Sequence, residues 1–238
     1  MEYDEFYARF GGSARTKNIA QTPPPDVPPG AHARNLRAFS LPEHSGLPKE
    51  FIRLDPWEME YLFLVARRAK RGIIETGRYN GGSCFLMACA APDAPIYSID
   101  SAPRNDELLR QKFKEHGVGA KVDLIVGDSQ KQKYPQIGEV DVLFVDGDHS
   151  YDGCMNDMVN WYGNLAVNGH LILHDSYLGH WGVQDAMADF MEMHLELQVV
   201  QSPFIGRYYW HYPAGSMAHL IKRAPCRQWW RLKPGWRN

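Results

Sequence analysis

Two short segments hold the residue types that do chemistry. F-V-D-G-D-H-S-Y-D-G, residues 144–153, presents Asp146 at the end of an apolar run and His149 three residues later. H-L-I-L-H-D-S-Y, residues 170–177, presents His174 and Asp175 at the end of another. One carboxylate from each strand end can supply oxygen ligands to a hard cation such as Mg²⁺. An imidazole in the intervening turn titrates near neutrality and can accept a proton. His174 complicates the cation: imidazole is a poor ligand for Mg²⁺ and a better one for Mn²⁺, Fe²⁺ or Zn²⁺. The alternative is that Asp146 serves a small-molecule ligand or water, and that no metal binds.

A third segment, E-T-G-R-Y-N-G-G-S, residues 75–83, is a glycine-rich loop between an apolar strand and a helix. Gly77 permits a tight turn, and Gly81 and Gly82 let backbone approach a ligand at a helix N-terminus. The loop is not G-x-G-x-x-G, so a dinucleotide pyrophosphate is not its natural guest. Its opening carboxylate, Glu75, suits an ammonium or sulfonium neighbour better than a phosphate.

These segments need a frame that brings them to one edge. From Asp55-Pro56, a helix start with a capping carboxylate and proline at the first position, the chain alternates. W-E-M-E-Y-L-F-L-V-A-R-R-A-K is helical, G-I-I-E-T-G a strand and S-C-F-L-M-A-C-A-A a helix. P-I-Y-S-I-D is a strand, and N-D-E-L-L-R-Q-K-F-K-E-H-G a helix ending at glycine. V-D-L-I-V-G-D, D-V-L-F-V-D-G-D and H-L-I-L-H-D are further strands. D-G-C-M-N-D-M-V-N-W-Y-G-N-L and V-Q-D-A-M-A-D-F-M-E-M-H-L-E are helices. V-V-Q-S-P-F and M-A-H-L-I-K-R-A close the series as an antiparallel strand pair. The expected fold is α/β: a doubly wound, mostly parallel seven-stranded sheet with an antiparallel C-terminal pair and an irregular N-terminal arm. Ligands bind beyond the carboxyl ends of such strands. Five strands here end in acidic or polar groups: Glu75, Asp100, Asp128 with Ser129, Asp146 with Asp148, and His174 with Asp175.

On these residues the chain resembles the class I S-adenosylmethionine (SAM) methyltransferases. The pattern E-x-G-x-x-x-G-G-S with the five ordered strand ends is most similar to the metal-dependent catechol and caffeoyl-CoA O-methyltransferases and to their bacterial macrolide-sugar and rhamnosyl relatives. The resemblance covers roughly residues 50–225. It implies that the loop, with Glu75, Gly77, Tyr79, Gly81 and Ser83, holds the methionine end of SAM. It implies that Asp100 takes the ribose hydroxyls and that Asp128, Ser129 and Gln130 flank the adenine. Asp146 would serve cofactor, metal and catalysis together. Asp146, His174 and Asp175 fall at the family's metal positions, where His174 departs from its carboxylate or amide pattern. His149 matches the family's Lys or His base. The implied ion is magnesium, with manganese or another divalent ion as alternative. Tyr151 and Tyr177 are candidates for the acceptor pocket or for packing.

The expected activity is methyl transfer to a hydroxyl oxygen of a small molecule, a sugar or a phenolic or natural-product acceptor. The rivals are a SAM-binding module without transfer, for which a base is superfluous, and a metal-dependent hydrolase, which leaves the glycine loop unexplained. The domains are an irregular arm over 1–50, the catalytic domain over 51–225, and a basic aromatic tail over 226–238. Arm or tail is the expected route to a homo-oligomer. The 238 residues carry a formal net charge of −2, which gives no general pull toward nucleic acid or anionic membrane. No apolar run nears the roughly 18 residues of a bilayer span. The four cysteines form no C-x-x-C pair, so reduced thiols in the cytoplasm are expected.

Overall fold

The computed structural model describes residues 51–54, 56–176, 182–201 and 217–225, with Glu5 and Leu47. The Asp55 cap, Tyr177, nearly all of the arm and the whole basic tail lie outside the described residues. Helix α1 spans Pro56–Ala66, followed by β1 (Ile73–Thr76), α2 (Gly82–Ala90), β2 (Ile96–Asp100) and α3 (Asp106–His116). Then come β3 (Val122–Val126), β4 (Val140–Val145), α4 (Tyr151–Trp161), β5 (Leu165–Leu173), α5 (Val183–Met193), β6 (Leu197–Gln201) and β7 (Ala218–Lys222). The seven strands form one sheet in the order β3-β2-β1-β4-β5-β7-β6. The first five are parallel, and β7 runs antiparallel to both β5 and β6. This is the architecture expected from the sequence.

Each face of the sheet has its own core. Phe51, Met59 and Phe63, together with α2 and Phe113 of α3, pack on Ile73, Ile96, Val142 and Phe144. On the other face Met158, Trp161, Met187 and Phe190 of α4 and α5 pack on Ile74, Ile99, Leu143 and Leu171. Every residue of β1 is buried, which is why the central strands read as unbroken apolar runs. Sequence order runs outward from β1 in one direction and from β4 in the other. The crevice therefore opens between those two strands.

Three boundaries differ from the sequence reading. Strand β1 ends at Thr76, one residue past Glu75, because Gly77 (φ 86) makes the turn. Helix α4 stops at Trp161 and tightens into a 3₁₀ turn over Tyr162–Asn164 rather than continuing to Leu165. Strand β5 then begins five residues earlier than His170, carrying Asn168 at φ 64 and a register shift against β4. Asparagine tolerates that left-handed conformation, which absorbs the extra residues. The glycine expected to end α3 does so, with Gly117 at φ 63; Ser150 caps α4 by accepting from the Gly153 amide at 3.1 Å.

Candidate functional site

At the carboxyl edge of β1–β5 lies a cavity of about 560 Å³, within the range of small-molecule sites. Its wall includes Gly77, Tyr79, Ser83, Asp100, Asp128, Ser129, Gln130, Asp146, Asp148, His149, His174 and Asp175. Three of the sequence-chosen residues, Gly81, Glu75 and Tyr151, are not on that wall. Gly81, at φ 86, sits at the N-terminus of α2 against Leu109. Glu75 is fully buried inside β1, beneath the loop. Tyr151 stands half-exposed away from the cavity and donates its hydroxyl to Asp189 at 2.7 Å.

The glycine loop is shaped by contacts on both sides. A Cβ at Gly77 would overlap the Asp146 carbonyl, and one at Gly82 would overlap the Phe51 carbonyl. Glycine is needed at Gly77 for both conformation and clearance. The Tyr79 amide donates to Asp100 Oδ2 at 2.7 Å, and the Ala102 amide donates to Oδ1 at 2.7 Å. Asp100 is thus held at the end of β2 with its carboxylate on the cavity wall. Glu75 accepts from the hydroxyls of Ser83 and Ser98. Burial pushes its carboxyl up to about 7, and those hydroxyls and Arg78 only partly offset this.

Sequence reading passed over Arg78, which is 1% exposed. Its guanidinium grips Asp106 with two parallel bonds of 2.8 and 2.9 Å. It also donates to the carbonyls of Ser98 and Ile125. One side chain therefore ties the loop to β2, β3 and the start of α3. A large cation inside a glycine-rich loop was the signal available. Phe51, Arg53 and Leu54, just ahead of α1, complete the wall, and nothing in their spacing marked them.

At β3, Asp128 Oδ1 accepts from the Gln130 amide at 2.9 Å, and Asp128 Oδ2 meets Lys131 at 3.0 Å. These bonds hold its carboxyl below the usual range. The Ser129 carbonyl is fixed by Asn160 and the Trp161 indole at 2.7 and 2.9 Å.

The β4 and β5 ends converge on one cluster. His149 Nε2 lies 3.1 Å from Asp146 Oδ1, and its Nδ1 lies 3.4 Å from Asp175 Oδ2. His174 Nδ1 lies 3.1 Å from Asp146 Oδ1 and 3.5 Å from Asp175 Oδ2. Burial alone would raise the Asp146 carboxyl, but the two imidazoles hold it below its ordinary value. Burial alone would lower both imidazoles; the carboxylates outweigh it and raise both, His174 well above its ordinary value. The far nitrogen of His174, Nε2, meets Glu58 of α1 at 3.2 Å. Glu58 is 1% exposed and was also missed. A carboxylate within W-E-M-E-Y-L-F-L was its only mark.

A divalent cation suits this donor set. Among the described residues, Asp146, His149 and His174 form the one His/Cys/Asp/Glu group whose ligand atoms lie within 4.8 Å of one another. The Nδ1 of His174 is buried without a hydrogen bond of good geometry, despite the nearby Asp146 oxygen. Such a nitrogen is a ready ligand.

Comparison with known proteins agrees with this geometry. Residues 74–176 match the family described as "Methyltransferase domain". A catechol O-methyltransferase of Mycobacterium tuberculosis is 24% identical over 149 residues, covering 61% of this chain and 66% of that protein. The chain thus spans about two thirds of that relative's length. An S-adenosylhomocysteine (SAH)-bound methyltransferase of Podospora anserina superposes with a TM-score of 0.58 at 21% identity, covering 83% and 89% of the two chains. The O-methyltransferase TomG of Streptomyces achromogenes, solved with SAM, gives 0.55 at 18%, covering 83% and 92%. At these identities the structures establish the fold. The family match shows a methyltransferase domain over residues 74–176 and supports the resemblance read from the sequence. No described helix is long and apolar enough to cross a membrane.

Proposed function

We propose that this chain, whose residues 74–176 carry a methyltransferase domain, is a SAM-dependent O-methyltransferase that methylates a hydroxyl of a small molecule with the help of a divalent metal. The observation that carries the reading is one cavity lined both by the Gly77–Ser83 loop with Asp100 and by Asp146, His149, His174 and Asp175. A cofactor platform and a proton-handling cluster share that space.

Asp100, held by two amides, receives the ribose hydroxyls. Tyr79 and Ser83 face the methionine end, and Asp128, Ser129 and Gln130 flank the adenine. Glu75 acts from below, through Ser83, rather than by contact. Asp146, His174 and Asp175 hold the metal. SAM supplies an electrophilic methyl on its sulfonium, and the metal supplies Lewis acidity toward the acceptor hydroxyl. His149 takes the hydroxyl proton, and Asp146 and Asp175 flank its ring and orient it. Walls that fix the acceptor relative to the methyl group supply the rest of the acceleration. The arm over 1–50 is assigned to acceptor binding or self-association, and the tail over 226–238 to self-association. The buried free thiols of Cys84, Cys89 and Cys154 fit a reducing compartment such as the cytoplasm.

One observation favours a variant reading: His149 falls within the same 4.8 Å ligand group as Asp146 and His174, so it could ligate the metal rather than serve as base. Transfer of labelled methyl from SAM to catechols, other phenols and glycosidic sugar hydroxyls tests the activity. His149→Ala should lower turnover about 10²–10⁴-fold with SAM affinity intact. Unchanged metal affinity in that variant supports the base, and lost affinity the ligand. Full turnover in it would remove both roles, and transfer to none of these acceptors would count against the activity.

A further inference from the structure

We propose that Glu58 is a positioning residue that fixes His174 as a nitrogen donor through Nδ1, and that this pair makes the site prefer imidazole-seeking ions such as Co²⁺ or Zn²⁺ over Mg²⁺. The inference rests on the metal reading above and goes beyond it in naming the residue that sets the ligand and the class of ion. Glu58 lies in the first turn of α1, 116 positions from His174 in sequence. Both side chains are buried, at 2% and 7% exposure. Neighbouring α1 residues Met59, Leu62 and Phe63 are fully buried apolar groups. A carboxylate in that company is costly and needs a partner. One such partner is Nε2 of His174, at 3.2 Å.

A neutral imidazole that donates Nε2–H presents its lone pair at Nδ1, and a cation bound there displaces the proton that the flanking carboxylates otherwise favour. That nitrogen is the buried one with no hydrogen bond of good geometry. It stands 3.1 Å from Asp146 Oδ1 and 3.5 Å from Asp175 Oδ2, and His174 forms with Asp146 and His149 the group whose ligand atoms lie within 4.8 Å of one another. The ring is further confined by the edge of Phe144, at 6.3 Å and 81°. Carboxylates backing ligating histidines recur in metal proteins, where they fix the tautomer and raise ligand basicity. A donor set containing imidazole moves affinity from magnesium toward later first-row ions.

The test uses the full chain stripped of metal, titrated with Co²⁺ by its visible absorption and with Mg²⁺ in competition. Cooperative thermal unfolding serves as the check on folding. Wild type should bind Co²⁺ at least about tenfold more tightly than Mg²⁺. Glu58→Gln keeps an acceptor for Nε2–H but removes the charge, and should weaken Co²⁺ about tenfold; Glu58→Leu should approach 100-fold. Mg²⁺ affinity should move less than Co²⁺ affinity in both. If Glu58→Leu does not fold, Glu58→Gln decides alone. Unchanged Co²⁺ affinity in Glu58→Gln, or equal wild-type affinity for the two ions, overturns the proposal and leaves the metal reading standing. Folded wild-type protein that binds neither ion overturns the metal reading itself.

Discussion

Replacing Glu75 by Gln should change how the stability of this protein depends on pH. Glu75 is wholly buried in β1, and burial raises its carboxyl from the ordinary 4.5 to about 7. Between those values the folded chain keeps a proton that the unfolded chain has released. Stability therefore falls as pH rises through that window, and the full penalty is present above pH 7. A displacement of about 2.5 units corresponds to about 3 kcal/mol at 1.36 kcal/mol per unit. Glutamine has nearly the same shape, still accepts from a serine hydroxyl and does not titrate. The gap in unfolding free energy, variant minus wild type, should grow by about 3 kcal/mol between pH 4.5 and pH 8. Urea unfolding at several pH values measures it. In thermal scans the same gap is about 6–12 °C for a domain of this size. A gap that stays constant within about 0.5 kcal/mol would refute the reasoning. Glu75 would then be ionised throughout, stabilised by Ser83, Ser98 and Arg78.

Gly77→Ala should cost well over 2 kcal/mol and abolish SAM binding, since the new Cβ meets the Asp146 carbonyl at a positive φ; calorimetry and thermal unfolding check both. Gly117→Ala, with a positive φ but open space around its Cβ, should cost only about 1–2 kcal/mol and leave binding unchanged. Arg78→Lys keeps the charge but loses the two-bonded grip on Asp106; SAM affinity should fall about tenfold or more, and wild-type affinity would count against the loop-tying role. Chelation should remove turnover and leave SAM binding, and Co²⁺ or Mn²⁺ should restore it; turnover unaffected by thorough chelation would refute the metal.

The sequence made legible what depends on local pattern. Unbroken apolar runs such as Ile73-Ile74 and Val142–Val145 marked doubly covered strands, and polar groups after them marked the edge. Asp100, Asp128, Asp146 and Asp175 therefore reached one cavity as expected. Long-range pairing was illegible. No spacing shows that Glu58 meets His174, because that contact depends on how α1 lies across the sheet. The burial of Glu75 was illegible for a related reason: it follows from the covering of both faces of β1 and from the Ser83 and Ser98 hydroxyls that meet it, not from its place in the loop motif. Arg78 was hidden by its setting, since glycine-rich loops are read for their glycines.

The claim on which the rest depends is that SAM occupies the strand-edge cavity with its ribose on Asp100. Calorimetric titration of SAM into wild type and Asp100→Ala tests it directly. Wild type should show saturable one-to-one binding and the variant a loss of at least about tenfold, its folding checked by thermal unfolding. No binding by wild type, or equal binding by the two proteins, would contradict it.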